Sequence, residues 1–75
     1  MVNIHKTALI GTGYWGSIIF NTLTKITSKK IFVFDKNSEN SNLLKKKFKN
    51  KIYIAKNFEE ILNNKNIKNV ILATH

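Results

Sequence analysis

The chain has 75 residues, which is enough for one small domain at most. With 43% hydrophobic and 23% charged residues it has the composition of a globular protein, which excludes a disordered chain. It contains no cysteine, so disulfides and thiolate metal sites are excluded as well. The N-terminus lacks the apolar core of a signal peptide, and no apolar run approaches the roughly 18 residues of a membrane span. We therefore expect a soluble, cytoplasmic protein without a membrane partner.

The formal net charge of +9 comes entirely from lysine, because the chain has no arginine. Proteins that bind nucleic acid usually rely on arginine for bidentate contacts to bases and phosphates. Apart from a cluster at residues 45–51, the lysines are scattered along the chain. This charge is more typical of a solvated surface, and a basic nucleic-acid-binding domain is the less favoured alternative.

A short apolar strand at residues 6–10 leads directly into the run Gly-Thr-Gly-Tyr-Trp-Gly at residues 11–16. A helix is predicted after this run, from residue 17 to residue 27, because apolar residues recur at helical spacing. Its predicted inward face consists of Ile18, Ile19, Leu23 and Ile26, together with Thr22. The glycine run therefore has a strand before it and a helix after it.

Each glycine of this G-x-G-x-x-G run has its own role in a dinucleotide-binding turn. Gly11 permits the tight turn off the strand, Gly13 lets a pyrophosphate approach the backbone, and Gly16 lets the helix pack on the strand. Free N–H groups at the start of the helix, with the positive end of its dipole, attract phosphate. The cofactor-binding residues predicted here are Gly11, Thr12, Gly13, Tyr14, Trp15 and Gly16. The alternative is a glycine turn in an α/β unit that binds no ligand.

For the side chains of the aromatic and histidine residues, packing or a peripheral position is favoured over base stacking and metal binding, although Tyr14 and Trp15 stay in the predicted cofactor site as part of the glycine run. Tyr14 and Trp15 lie near the start of the helix, where aromatic residues are more often packed than stacked on a base. His5 and His75 have no neighbours at metal-ligand spacing, so we expect an exposed or edge residue at His5, a loop residue at His75 and no metal site.

The second strand, residues 30–34, ends in Asp35, which lies 19 residues after Gly16. A carboxylate at this position accepts hydrogen bonds from both ribose hydroxyls of NAD and repels the 2′-phosphate of NADP. Lys36 comes next and is able to approach a phosphate, so NADP is the alternative. We therefore predict NAD as the cofactor, with Asp35 and Lys36 in its site.

The third strand and its preceding helix are less distinct. A polar run at residues 36–40 predicts a loop, after which Ser41 is expected to cap a helix over residues 42–49. A short third strand follows at residues 52–54. The inward side chains expected on the helix are Leu43, Leu44 and Phe48.

A third helix and a fourth strand complete the pattern. Asn57 is expected to cap the helix over residues 58–63, and the strand is predicted at residues 69–73, followed by Thr74 and His75. The inward side chains expected on this helix are Phe58, Ile61 and Leu62.

Strands that alternate with helices predict a Rossmann-type, three-layer α/β/α fold with a parallel sheet in the order 3-2-1-4. The order reverses between the first and fourth strands, and a ligand crevice is expected there. Parallel sheets need both faces covered, yet only the short third helix covers one of them. We therefore interpret residues 1–75 as the N-terminal part of a larger dinucleotide-binding domain, with the catalytic domain absent and a homo-oligomer at full length.

The run at residues 11–16 resembles the start of the glucose–fructose oxidoreductase / inositol dehydrogenase family (Gfo/Idh/MocA), whose members commonly begin with a strand, G-x-G-Y-W-G and a helix. The segments 33–35 (Val-Phe-Asp), 57–62 (Asn-Phe-Glu-Glu-Ile-Leu) and 70–74 (Val-Ile-Leu-Ala-Thr) resemble later parts of that domain. The resemblance implies that the glycines hold the pyrophosphate, that Asp35 holds the adenosine ribose, and that Ala73 and Thr74 lie beside the nicotinamide.

The resemblance implies an NAD-dependent oxidoreductase that transfers hydride to or from a sugar, cyclitol or nucleotide-sugar substrate. His75 replaces a proline that this family usually carries, and the family's catalytic lysine lies beyond residue 75. No residue of the chain is therefore assigned a catalytic role. The alternative from another class is a non-enzymatic module that binds or senses a nucleotide.

Overall fold

The structure, a computed structural model, describes residues 6–73. Four strands alternate with three helices, and a single 3₁₀ turn at Lys49–Lys51 precedes the third strand. The elements are β1 (Lys6–Ile10), α1 (Tyr14–Ile26), β2 (Ile31–Phe34), α2 (Ser38–Phe48), β3 (Ile52–Ile54), α3 (Phe58–Leu62) and β4 (Ile67–Leu72).

The four strands form one parallel sheet in the order β3-β2-β1-β4. Ala8 at the centre of the sheet pairs with Phe32 on one side and with Val70 on the other. Because all strands run in the same direction, the carboxyl ends of β1, β2 and β4 meet at one edge. The predicted α/β class and strand order are both confirmed, and the fold is a partial Rossmann-like domain.

The larger core lies between the sheet and the helices α1 and α2. It contains alternate residues of the central strands, Leu9 on β1 and Ile31 and Val33 on β2, all fully buried. Phe20 from α1 fills the space above them, and its ring lies 4.7 Å from the ring of Phe48 on α2. Aromatic pairs at this separation add to the stability gained from burial.

Within the described part of the chain, α3 is the only helix on the opposite face of the sheet. Ala8, Phe32, Ala55 and Ile61 form its small core. Two layers of helices thus enclose the sheet, as the sequence predicts. Beside α3, however, the β4 side chains of this face remain open to solvent, because Val70 is 48% and Leu72 68% exposed.

The start of α2 differs from the prediction. The helix begins at Ser38, so residues 38–40 are helical and not part of a loop. Asn37 is the cap, because its side chain accepts a hydrogen bond from the N–H of Glu39 (3.0 Å). The predicted cap, Ser41, lies buried inside the helix and donates its hydroxyl to the carbonyl of Ser38 (3.1 Å). Since asparagine and serine are equally good caps, composition alone could not decide between the two positions.

The inward faces of the helices also need correction. α1 begins at Tyr14 rather than at residue 17, and Gly16 and Phe20 face the sheet. Helical residues that were predicted to point inward are exposed, because each lies on the edge or outer side of its helix. They are Ile18 (44% exposed), Thr22, Ile26 (75%), Leu43 (64%), Phe58 (39%) and Leu62 (63%).

The last elements follow the prediction more closely. Asn57 caps α3, since its side chain accepts a hydrogen bond from the N–H of Glu60 (2.9 Å). The Glu60 carboxylate accepts in turn from the N–H of Lys56 (2.8 Å), which completes a reciprocal cap. β4 begins at Ile67, earlier than predicted, because the N–H of Lys6 bonds to the carbonyl of Asn66 and aligns the two strands there. Within residues 6–73, no helix combines the length and the apolar character needed to cross a membrane.

Candidate functional site

A cleft of about 630 Å³ opens where the carboxyl ends of β1, β2 and β4 meet. Ligands of open parallel sheets bind at this edge, next to the point where the strand order reverses. The lining residues are Ile10, Gly11, Gly13, Tyr14, Trp15, Phe34, Asp35, Lys36, Asn40 and Ala73. Most of the predicted site residues therefore come together around one cleft.

The glycine turn at residues 11–13 forms the wall of the cleft next to β1. Gly11 has a φ of 95°, a conformation that side chains other than glycine rarely adopt, and its N–H bonds to the carbonyl of Phe34 (2.8 Å). A Cβ on Gly16 would lie 2.2 Å from the carbonyl oxygen of Gly11. Gly16 is therefore buried because the helix packs directly on the turn, which is the role that the sequence predicts for it.

Gly13 is different, because a side chain at this position would not clash with any neighbouring protein atom. A Cβ there would have no neighbour closer than the Asn40 Nδ2 atom, 4.0 Å away. The backbone at Gly13 is exposed and faces the cleft. The absence of a side chain therefore leaves open a space that an external group can occupy.

The N-terminus of α1 points its unpaired N–H groups toward this space. Gly13 is the cap residue, no side chain accepts a hydrogen bond there, and the first turn holds no acidic residue. The first intrahelical bond joins the N–H of Ser17 to the carbonyl of Gly13 (2.9 Å). The N–H groups of the preceding first-turn residues lack a partner within the helix, so this end of α1 favours an anion.

Asp35 lies across the cleft, at the end of β2. Its Oδ2 accepts hydrogen bonds from the N–H (2.7 Å) and the hydroxyl (2.9 Å) of Thr12, and its Oδ1 accepts from the N–H of Asn37 (2.8 Å). Burial by itself raises the pKa of the carboxyl group. The donors of Thr12, Asn37 and Asn40 together outweigh burial, so the pKa of Asp35 lies below its ordinary value. A full negative charge therefore stands at the cleft near neutral pH.

Thr12 does not line the cleft, although the sequence placed it in the cofactor site. Only 4% of its surface is exposed, both of its donors are directed at Asp35, and it borders a smaller cavity of about 290 Å³ that it shares with Gly13 and Asn40. Any effect of Thr12 on a ligand in the cleft is therefore transmitted through Asp35 and the turn.

The expected packing of Tyr14 and Trp15 is wrong. The two side chains are 75% and 57% exposed, and their rings meet edge to face with centroids 5.4 Å apart. Because α1 begins at Tyr14, both lie in its first turn, at the mouth of the cleft, where neither contacts the core. Lys36 and Ala73 line the cleft as predicted, and the N–H of Ala73 bonds to the carbonyl of Ile10 (2.8 Å). The predictions for Thr74, His5 and His75 fall outside the described residues.

Asn40 is the polar lining residue that sequence reasoning missed. It projects from the first turn of α2, and its Nδ2 makes a long hydrogen bond to Asp35 Oδ2 (3.4 Å). Had Asn37 been taken as the helix cap, Asn40 would have been placed in the first turn of α2, near Asp35. Across residues 6–73, no group of three side chains is arranged to bind a metal ion.

The family model described as shikimate / quinate 5-dehydrogenase matches residues 1–75, the whole chain. No curated protein and no solved structure matches it. The resemblance to the glucose–fructose oxidoreductase / inositol dehydrogenase family is therefore wrong. Both families contain an NAD(P)-binding Rossmann-like domain, so the glycine run and the strand that ends in aspartate reflect a shared fold. The chain belongs to the shikimate/quinate 5-dehydrogenase family, a family of NAD(P)-dependent oxidoreductases.

Proposed function

We propose that this chain is the cofactor-binding part of a dehydrogenase that binds NAD and acts on a hydroxylated ring carboxylate of the shikimate or quinate type. The observation that carries the proposal is the open backbone of Gly13 at the uncapped N-terminus of α1. The family name supplies the substrate class, and it replaces the sugar or cyclitol substrate that the sequence had suggested. The bound cofactor would supply hydride transfer, while the protein holds and orients it.

The pyrophosphate of the cofactor fits the space beside Gly13. The N–H groups of the first turn of α1 supply donors, and the helix dipole supplies a favourable potential for a doubly charged group. Gly11 and Gly16 allow the turn to exist but offer no side chain to the ligand. Tyr14 and Trp15 flank the same space from the outer side of the helix.

The adenosine ribose would lie against Asp35. Among the described residues, Oδ1 accepts one hydrogen bond, so one lone pair of this oxygen is free to accept from a ribose hydroxyl. The ionised carboxylate repels a 2′-phosphate, which favours NAD over NADP, although the family usually binds NADP. Lys36 lines the same side of the cleft and is the residue that would favour NADP. Ala73, and with it Thr74, would border the nicotinamide half.

The replacement of Gly13 by valine tests the proposal. The valine side chain fills the space that the pyrophosphate needs, so the affinity for NADH should fall at least tenfold, or about 1.4 kcal/mol. Trp15 is the only tryptophan and lines the cleft, so its fluorescence reports binding directly. Titration with NADH and NADPH gives both dissociation constants, and tighter binding of NADPH by the wild type would contradict the proposed preference.

Thr22→Val is the matched control. This variant places a valine on the exposed side of the same helix. Residue 22 lies in the second half of α1 and does not line the cleft. It should bind NADH as the wild type does. If Gly13→Val also retained the wild-type affinity, the glycine turn would not be the cofactor site.

A further inference from the structure

The hydrogen bonds of Asp35 divide its two carboxylate oxygens into different roles. Oδ2 accepts three donors, the N–H and the hydroxyl of Thr12 and the amide of Asn40. A carboxylate oxygen has two lone pairs, so the capacity of Oδ2 is filled by the protein itself. Oδ1 accepts from the N–H of Asn37, and it retains capacity for a ligand.

Thr12 is the residue that makes this division possible. It is buried between the two glycines of the turn, and its two donors converge on the same oxygen at 2.7 and 2.9 Å. A donor pair of this kind fixes both the position of the carboxylate and the path of the backbone that carries the donors. The neighbouring N–H of Gly11 is held by the carbonyl of Phe34, so the turn is tied to the end of β2 at two successive residues.

We infer that Thr12 is a positioning residue for dinucleotide binding: by filling Asp35 Oδ2 it holds the glycine turn open for the pyrophosphate and turns Oδ1 toward the ribose. This inference rests on the proposed function, which it deepens. Thr12 does not line the cleft where β1, β2 and β4 meet, so its effect on a ligand there passes through Asp35 and the turn. Thr12 contributes to affinity by raising the fraction of molecules whose turn is already in the binding conformation. The apparent affinity for the ligand is proportional to that fraction.

Thr12→Val is the informative variant, because valine has nearly the same shape and removes only the hydroxyl donor. Hydrogen bonds to charged groups are among the stronger ones, so we expect binding of ADP to weaken about tenfold. Binding of 2′,3′-dideoxy-ADP, which keeps the pyrophosphate and lacks both ribose hydroxyls, should also weaken, but by a smaller factor, because only the effect of Thr12 on the turn remains. Thr12→Ser keeps the donor and should restore the affinity for both nucleotides. Trp15 fluorescence measures the dissociation constants of both nucleotides for the wild type and the two variants, and circular dichroism checks that each variant is folded.

A second measurement does not depend on any nucleotide. The pKa of Asp35, followed by the NMR shift of its carboxyl carbon, should rise in Thr12→Val and return in Thr12→Ser, because one donor to the charged form is lost and then regained. A variant that was merely less stable would not show this pattern.

Three outcomes would overturn the inference: unchanged affinities in Thr12→Val, a loss confined to ADP, or an Asp35 pKa that does not respond. A loss confined to ADP would show that Thr12 affects only the ribose contact and not the turn. Failure of the proposed function looks different, because the wild type itself would then bind neither nucleotide; in that case the role of Thr12 in binding falls with it.

Discussion

At the scale of single residues, Gly13 and Gly16 lie three positions apart but differ in how much space a side chain would have. Gly16→Ala places a Cβ 2.2 Å from a backbone oxygen that cannot move without breaking the turn. We expect a loss of about 3 kcal/mol in the free energy of unfolding, the upper end of the usual cost of overpacking. Gly13→Ala is the matched control, since its Cβ would lie 4.0 Å from the Asn40 Nδ2 atom, an ordinary contact distance, and should cost less than about 1 kcal/mol. Urea unfolding measures both, and equal losses would contradict the packing described for Gly16.

The Asp35 carboxylate makes stability depend on pH in a defined direction. Its pKa in the folded protein lies below the ordinary value of 3.8, so its hydrogen bonds stabilise the fold fully above pH 3.8. That contribution is lost as the pH falls through the folded pKa. Asp35→Asn has no carboxylate to protonate, so it does not lose this stability on acidification. The difference in unfolding free energy between wild type and variant should therefore shrink below pH 3.8. Urea unfolding of both proteins between pH 7 and pH 2 checks this, and a difference that stays constant with pH would show that the carboxylate charge is not involved.

At the scale of the elements, the N-terminal cap of α2 was predicted wrongly, since the cap is Asn37 and not Ser41. A pair of substitutions tests this cap directly. Asn37→Ala removes the side-chain acceptor for the N–H of Glu39 and should cost about 1 kcal/mol. Asn42→Ala, an exposed change inside the same helix, should be neutral or slightly stabilising because alanine is the better helix former. Thermal unfolding of the two variants compares the positions directly. If Asn42→Ala proved the more harmful, Asn37 would not be the cap.

Strands were easier to predict than helix faces, for a physical reason. The apolar runs of β1 and β2 are buried on both sides, so their positions do not depend on the phase of a pattern. The faces of α1 and α2 do depend on phase. Gly16 and Phe20 are the buried residues of α1, and Ser41 and Leu44 are those of α2, so Ile26 and Leu43 lie off the buried faces and in solvent. The start of α2 at Ser38 explains why Asn40 was missed, because residues 36–40 were predicted to form a loop.

At the scale of the whole molecule, the strand order could be derived from the sequence, but the protein family could not. The preference for right-handed crossovers leaves few arrangements for four alternating strands, and the order β3-β2-β1-β4 is the Rossmann one. The glycine turn is shared by dinucleotide-binding folds of many families, so the residues Tyr14 and Trp15 within it could not identify one. The assignment of residues 1–75 to a larger cofactor domain, and the homo-oligomer, stay predictions.

The charge of +9 supports a final prediction for the molecule as a whole. Such a charge attracts DNA without reading its sequence, and non-specific affinities at physiological salt are about 10⁻⁴ to 10⁻⁶ M. We expect two duplexes of unrelated sequence to bind within this range, equally, and more weakly as the salt concentration rises. Fluorescence anisotropy with labelled duplexes measures this.

The exposed lysines of α2 and the following turn provide the control for that experiment. Replacing Lys45, Lys46 and Lys51 by glutamine should weaken binding to both duplexes by the same factor, because each lysine contributes only through its charge. NADH binding should not change, since none of the three lines the cleft. A sequence-dependent complex at nanomolar protein would show that the lysines form a specific nucleic-acid site and that the solvated-surface interpretation is wrong.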